Sequence, residues 1–169
     1  ARIFGHQFMN PGKNKVESAD KYVEVAESAG VIPDIEKRRA ALVEAIEACA
    51  KAHHSQILQD EELIDIVTNL VENPFPIVGR FDDEFLAVPD EVLITAMREH
   101  QKYFAVVDGD DNLMPYFVAV NNTRAKDFSL VAAGHQRVIR ARLADAAFFF
   151  ESDLKETLDA RVEKLKRVL

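Results

Sequence analysis

The chain has no tryptophan and one cysteine, Cys49, so no intrachain disulfide can staple it. That usage suits a reducing compartment, and a cytoplasmic location is expected. Its six glycines are scattered singly. No GxxxxGK[ST] loop occurs, so the usual backbone cradle for nucleotide phosphates is missing. No apolar run reaches the roughly 18 residues of a membrane helix, and the N-terminus lacks the basic-then-apolar layout of a signal peptide. A membrane role is not expected. Positive charge is also scarce, with 21 Lys and Arg against 29 Asp and Glu and a net charge of −8. A dedicated nucleic-acid module carries a basic footprint, so any RNA contact must be local.

Reactive groups are equally sparse. His6, His53, His54, His100 and His135 are dispersed, and none has the i, i+4 spacing or cysteine partners that zinc wants. No metal ligand is expected. Cys49 falls on an apolar helix stripe and reads as core, while Asp110-Asp111 reads as a solvated loop. No catalytic residue is expected.

What remains is a chain of 169 residues, long enough to bury roughly 70% of its unfolded surface. It reads as one α+β domain, with residues 1–73 mainly helical and 74–169 carrying the sheet and long helices. Ser18 or Asp20 caps a first helix that Gly30 ends. Pro33, Asp34 and Glu36 open a second, running to about Ala52, with Ile35, Leu42, Ile46 and Cys49 as its buried stripe. A third starts at Asp60, with Leu63, Ile66, Val67, Leu70 and Val71 on one face, and Asn73-Pro74 ends it.

The period then changes. Phe75 to Phe81 and Phe85 to Val88, separated by Asp82-Asp83-Glu84, predict a hairpin. Pro89-Asp90-Glu91 opens a helix that stops near His100. Tyr103 to Val107 and Met114 to Val120, joined by the polar loop Asp108 to Asn112, predict a second hairpin. Gly134 precedes a long helix, and Ser152-Asp153 interrupts or caps it. Leu154, Leu158, Val162, Leu165 and Val168 make a last amphipathic helix. The expected fold is N-terminal helices, an antiparallel sheet of about four strands built from hairpins, and two C-terminal helices.

The long helix is unusual. Ile139, Leu143, Ala146 and Phe150 share one face at about 100° per residue, but Phe148 and Phe149 point elsewhere, so its last turn is apolar all round. Phe148, Phe149 and Phe150 therefore read as a partner interface. Thr123 to Arg142 carries Arg124, Lys126, Arg137, Arg140 and Arg142 against Asp127 alone, so RNA contact, if present, belongs there. Read as structure, Arg142 pairs with Asp145 and the other arginines are solvated. Read as function, the guanidinium groups hold RNA phosphate or a partner. His100-Gln101-Lys102-Tyr103-Phe104 is open in the same way. As structure, Tyr103 and Phe104 alternate across a strand while His100 and Lys102 cap a helix C-terminus. As chemistry, His100 is a base and Lys102 holds phosphate or a carboxylate.

Four separated motifs resemble one family in one order: Gly5-His6-Gln7-Phe8-Met9, Phe85 to Pro89 with Met97, His100 to Phe104, and Arg137 to Phe150. Together they resemble the beta subunit of bacterial heterotetrameric glycyl-tRNA synthetase, along essentially the whole chain. Ala105, His135 and Ala147 depart from residues usual there, proline, asparagine and an acidic residue. That beta subunit is several times longer, so an internal fragment is expected, as Ala1 in place of a start methionine and the charged helical pattern at Leu169 suggest.

The resemblance implies a non-catalytic structural and tRNA-recognition part of a glycine-tRNA ligase, inactive alone. ATP, with magnesium, is then used by the alpha subunit, and the implied partners are that subunit in an alpha2beta2 heterotetramer, glycine tRNA and other beta-subunit domains. Lys102, Arg137, Arg140 and Arg142 are the RNA-binding candidates. The alternative is a domain or subunit interaction module without RNA contact, and an independent small hydrolase is a third reading. Editing is not expected.

Overall fold

The computed structural model describes residues 1–165, with the side chains of 1–162. Strands β1 (Arg2–Phe4) and β2 (Lys13–Lys15) form a small antiparallel ribbon. A 3-10 turn at Ala19–Lys21 leads into helix α1 (Tyr22–Ser28), followed by α2 (Ile35–Lys51), β3 (Gln56–Ile57), α3 (Glu61–Leu70) and β4 (Phe75–Arg80). A 3-10 segment at Asp83–Ala87 precedes α4 (Asp90–Gln101), β5 (Phe104–Val107), β6 (Leu113–Asn121), α5 (Phe128–Leu154) and α6 (Leu158–Leu165). The main sheet has the order β3-β5-β6-β4 and is antiparallel throughout.

Alternation along β5 and β6 divides the interior into two cores. Phe104, Val106 and Val118 face Leu42 and Ile46 of α2 and Leu63, Ile64 and Val67 of α3. Ala105, Phe117 and Ala119 face the other way, onto Leu93 and Met97 of α4, Ile139 and Leu143 of α5, and Phe81 and Phe85. The sheet is thus the middle of three layers, and the expected α+β class, with helices before, between and after an antiparallel sheet, holds. Tyr103 and Phe104 do lie in opposite cores.

Aspartate side chains start α2, α3 and α5. Asp34 accepts from the Lys37 N–H at 3.0 Å, Asp60 from that of Leu63 at 2.8 Å and Asp127 from that of Leu130 at 3.1 Å; each such cap is worth about 1 kcal/mol. α1 ends at Gly30, whose φ of 84° only glycine adopts freely. The Val31 N–H bonds the Ala26 carbonyl and the Gly30 N–H that of Glu27, both at 3.0 Å, closing the helix end.

Several expectations change. Phe85 to Val88 is not a strand, so the first hairpin is absent: β4 pairs with β6, and the chain after Phe81 coils so that Phe85 enters the second core. The acidic Asp82 to Glu84 run suits a helical N-terminus as well as a turn. The second hairpin, β5 with β6, is present. The two-residue β3 completes the sheet.

In α2, Ile35 is exposed and Ala50 takes a buried place. In α3 the buried face is Leu63, Ile64, Val67 and Thr68, with Leu70 exposed. The sheet selects that rotation, because Ile64 packs beside Phe104. α1 begins at Tyr22 with neither Ser18 nor Asp20 as a side-chain cap. Gly134 lies inside α5, which begins at Phe128, and Ser152-Asp153 does not interrupt it. Leu154, Leu158 and Val162 are exposed rather than packed. Of the expected last stripe, the Leu165 side chain and Val168 lie outside the described residues.

Gly79 on β4 lies against the face of the Phe117 ring, where an added Cβ would come within 2.2 Å of Cζ. Phe117 is fully buried and stacked on Tyr103 at 4.8 Å, so it has nowhere to move. Gly134 meets the opposite condition, with nothing within 4 Å of an added Cβ. Gly79→Ala should therefore destabilise by about 1–3 kcal/mol. Gly134→Ala, by removing a helix-interior glycine, should stabilise by about 0.5–1 kcal/mol. Urea unfolding of the two variants checks both signs, and a neutral Gly79→Ala would show that Phe117 yields.

Candidate functional site

Helix α5 carries most of the candidate residues, and a polar chain fixes its position on the sheet. Asn121, the last residue of β6, gives its Nδ2–H to the Phe75 carbonyl at 3.4 Å, which leaves Oδ1 as an acceptor. The His135 Nε2–H donates to that oxygen at 3.1 Å. Nδ1 is then unprotonated and accepts the Tyr103 hydroxyl proton at 2.7 Å. The Tyr103 and His135 rings meet edge to face at 5.4 Å. Burial pushes the Tyr103 phenol up to about 12 and holds the His135 imidazole below its ordinary value. The asparagine implied at 135 by the family resemblance can also accept from one neighbour and donate to the other.

Asn122 does parallel work at the next residue. Its Oδ1 accepts the Glu72 N–H at 2.6 Å, and its carbonyl accepts the Nε2–H of the fully buried His6. His6 Nδ1 accepts from the N–H groups of Phe8 and Met9, each at 3.3 Å. A Cβ on Gly5 would stand 2.5 Å from the Asn10 carbonyl, so the first glycine of the motif is required by close approach. The glycine-histidine motif is therefore a structural staple, with its imidazole committed to backbone groups. Cys49 is half-buried on α2, with burial pushing its thiol up, as befits a packing residue.

The candidate cations divide into two pairs. Arg140 is engaged: its Nε and Nη2 hold Asp82 at 3.0 and 3.1 Å, tying α5 to the 3-10 segment. Lys102 stands 3.6 Å from Glu99. It ends α4 in the left-handed region at φ 55°, and its N–H bonds the Arg98 carbonyl, so it caps the helix through its backbone. His100 is exposed in the last turn. Arg137 and Arg142, also exposed, make no hydrogen bond or ion pair among the described residues, and the expected Arg142–Asp145 pair is not formed. Five residues apart, they stand about 140° apart around the helix.

Elsewhere the described arginines are spent, apart from the exposed Arg2 and Arg124. Arg39 holds Glu61 and Asp65, Arg80 holds Asp83, and Arg38 bonds the carbonyls of Thr68 and Ile32. Arg98 binds Asp60, Glu62 and Glu99, and the Asp60 bond foremost raises it above the usual arginine range. Arg124 and Lys126, just before α5, are exposed and unpaired like Arg137 and Arg142. Phe148 and Phe149 are 67% and 65% exposed and touch edge to face at 5.6 Å, while Phe150 is half-buried.

The Tyr103–His135–Asn121 chain was not foreseen from the sequence. Its members are separated by long stretches of chain, and the adjacent asparagines ending a β-prone run were the one local sign. His135→Leu should cost about 1–3 kcal/mol by leaving the Tyr103 hydroxyl and the Asn121 oxygen without partners. His135→Asn should cost less than about 1 kcal/mol. Because the imidazole is harder to protonate folded than unfolded, its contribution is full above the unfolded value of about 6.5 and is lost as pH falls through the lowered folded value. Urea midpoints at pH 7.5 and at progressively lower pH should therefore fall more for the wild type than for His135→Asn. Parallel losses in the two proteins would remove His135 as the source.

The family described as glycyl-tRNA synthetase beta subunit matches the chain over residues 1–169. The glycine–tRNA ligase beta subunit of Desulforapulum autotrophicum is 60% identical over 166 residues, covering 98% of this chain and 24% of the relative. That of Desulfatibacillum aliphaticivorans is 54% identical and that of Myxococcus xanthus 48%, each covering 98% of this chain and 24% of the relative. The chain thus spans about a quarter of the length of the curated relatives it matches.

Proposed function

Because the chain belongs to the glycyl-tRNA synthetase beta subunit family, we propose that it is a single α+β unit serving as a structural and tRNA-recognition part of a glycine-tRNA ligase. The observation that carries this reading is the distribution of free cations. In a chain of net charge −8, most of the described arginines are bound to carboxylates or carbonyls. Among the described residues Arg124, Lys126, Arg137 and Arg142 stand unpaired along α5 and the segment entering it, with Arg2 and Lys155 the other two unpaired cations. A rigid helix holding unpaired guanidinium groups in water is suited to phosphate, which each group can grip through two parallel N–H bonds.

The motif side chains support a non-catalytic role. His6 and Tyr103 belong to the motifs that resemble the family, and both spend their polar atoms on internal bonds. In this reading glycine activation, with ATP and magnesium, lies on an alpha subunit. The assembly is an alpha2beta2 heterotetramer in the cytoplasm, and this segment also meets other beta-subunit domains. The open Phe148 and Phe149 favour that last contact.

Arg137 and Arg142 are the primary phosphate contacts. Lys102 and Arg140 contribute less, because Glu99 and Asp82 already hold them. Binding of glycine tRNA to the chain, followed by fluorescence anisotropy across a salt series, should weaken linearly in log–log form. Arg137→Ala with Arg142→Ala should flatten the slope by about 1.5 to 2. Arg140→Ala should change it by less than about half as much. Lys102→Gly, which keeps the left-handed helix end while removing the charge, provides the matching control. Unchanged affinity and slope in the double variant would end the RNA reading.

A further inference from the structure

The corner where α5 turns into α6 is an apolar surface with nothing on it among the described residues. α5 leaves the second core after Leu143, where Ala146 and Ala147 still touch it. Beyond them Phe148, Phe149, Leu154 and Leu158 are 65 to 82% exposed and Val162 is 49% exposed. Arg161 folds the start of α6 back onto the end of α5, bonding the Ser152 carbonyl at 3.4 Å and Asp153 at 2.7 Å. The corner is thus held in shape with its apolar side chains open.

Size and charge narrow the occupant. Phe148, Phe149 and Leu154 stand about 100–140° apart around α5, so the five side chains together leave on the order of 500 Å² of apolar surface open on several sides of the corner rather than in one flat patch. A stable interface between separate chains buries about 800 Å² on each partner. Contacts between domains of one chain need only about 300–750 Å² a side, because the tether supplies the effective concentration. The relatives provide such a tether, since this chain is 24% of their length. Among the described residues Asp145, Glu151 and Asp159 fringe the corner without partners, Lys155 is the one unpaired cation there, and Arg161 is already neutralised by Asp153 and Glu156, so the fringe is acidic on balance. A carboxylate fringe repels RNA and welcomes lysine or arginine.

We propose that in the full-length family polypeptide this corner is covered by another segment of the same chain, an apolar surface flanked by basic residues. The proposal deepens the domain-contact part of the functional reading and rests on family membership, not on RNA contact by Arg137 and Arg142. The test uses a full-length family ligase carrying this segment, without tRNA, with benzoylphenylalanine in place of Phe149. Illumination should give a crosslink within the same polypeptide, to a peptide outside residues 1–169, with the subunit mass unchanged. A crosslink to the other subunit or to a second copy, or none, would overturn it. Hydrogen exchange gives an independent readout: amides of residues 145–162 should exchange at least tenfold more slowly in the full-length protein than in the 169-residue chain. Equal rates would also overturn the proposal. Neither measurement responds to loss of tRNA binding.

Discussion

The Phe117 ring is the piece on which the rest is built. It is completely buried, lies over a glycine on the neighbouring strand and carries the Tyr103 ring stacked on it. Gly79 has to be a glycine for this, because the aromatic ring occupies the space a Cβ would fill. Tyr103, set by that stack, aims its hydroxyl at His135, and His135 reaches Asn121. One close approach of backbone to ring therefore reaches through two aromatic side chains to the azimuth of a 27-residue helix.

That azimuth decides which side chains α5 offers to water. Ile139 and Leu143 go inward, and Arg137 and Arg142 go outward with nothing among the described residues to neutralise them. Arg140, three residues from Arg137, meets Asp82 instead, because the 3-10 segment carries that carboxylate to the helix flank. Neighbouring arginines on one helix thus have different electrostatic standing, set by what happens to pack alongside. An exposed pair such as Arg140–Asp82 adds only about 0–1 kcal/mol of stability, but it occupies donors that phosphate would otherwise use.

The candidate site was legible in part. Basic residues cluster between Thr123 and Arg142 in the sequence, and four of the six cations unpaired among the described residues, Arg124, Lys126, Arg137 and Arg142, lie there, with Arg2 and Lys155 outside it. Pairing did not follow from spacing. Arg142 and Asp145 are the right distance apart on a helix, yet both stay in solvent, where an exposed ion pair gains little against the entropy of holding two side chains together. Asp82 lies 58 positions from Arg140, and only the fold brings them together. The His6, Asn121 and Asn122 bonds were invisible for the same reason.

The amino-acid order alone fixed the family, through motifs whose residue types and succession are specific. It also fixed the helix start at Asp60, the β5–β6 hairpin and the inward face of α5, because caps, turns and periodicities are local properties, whereas the second helix opens after Asp34 as its cap and leaves Pro33, its expected first residue, outside. Tertiary structure decided the rest. It chose which face of α3 is buried, it turned Phe85 to Val88 from a strand into a coil that fills the core, and it set which arginines are free. Each of those outcomes depends on surfaces contributed from far along the chain, where the energy of burying a side chain outweighs what its neighbours in sequence prefer.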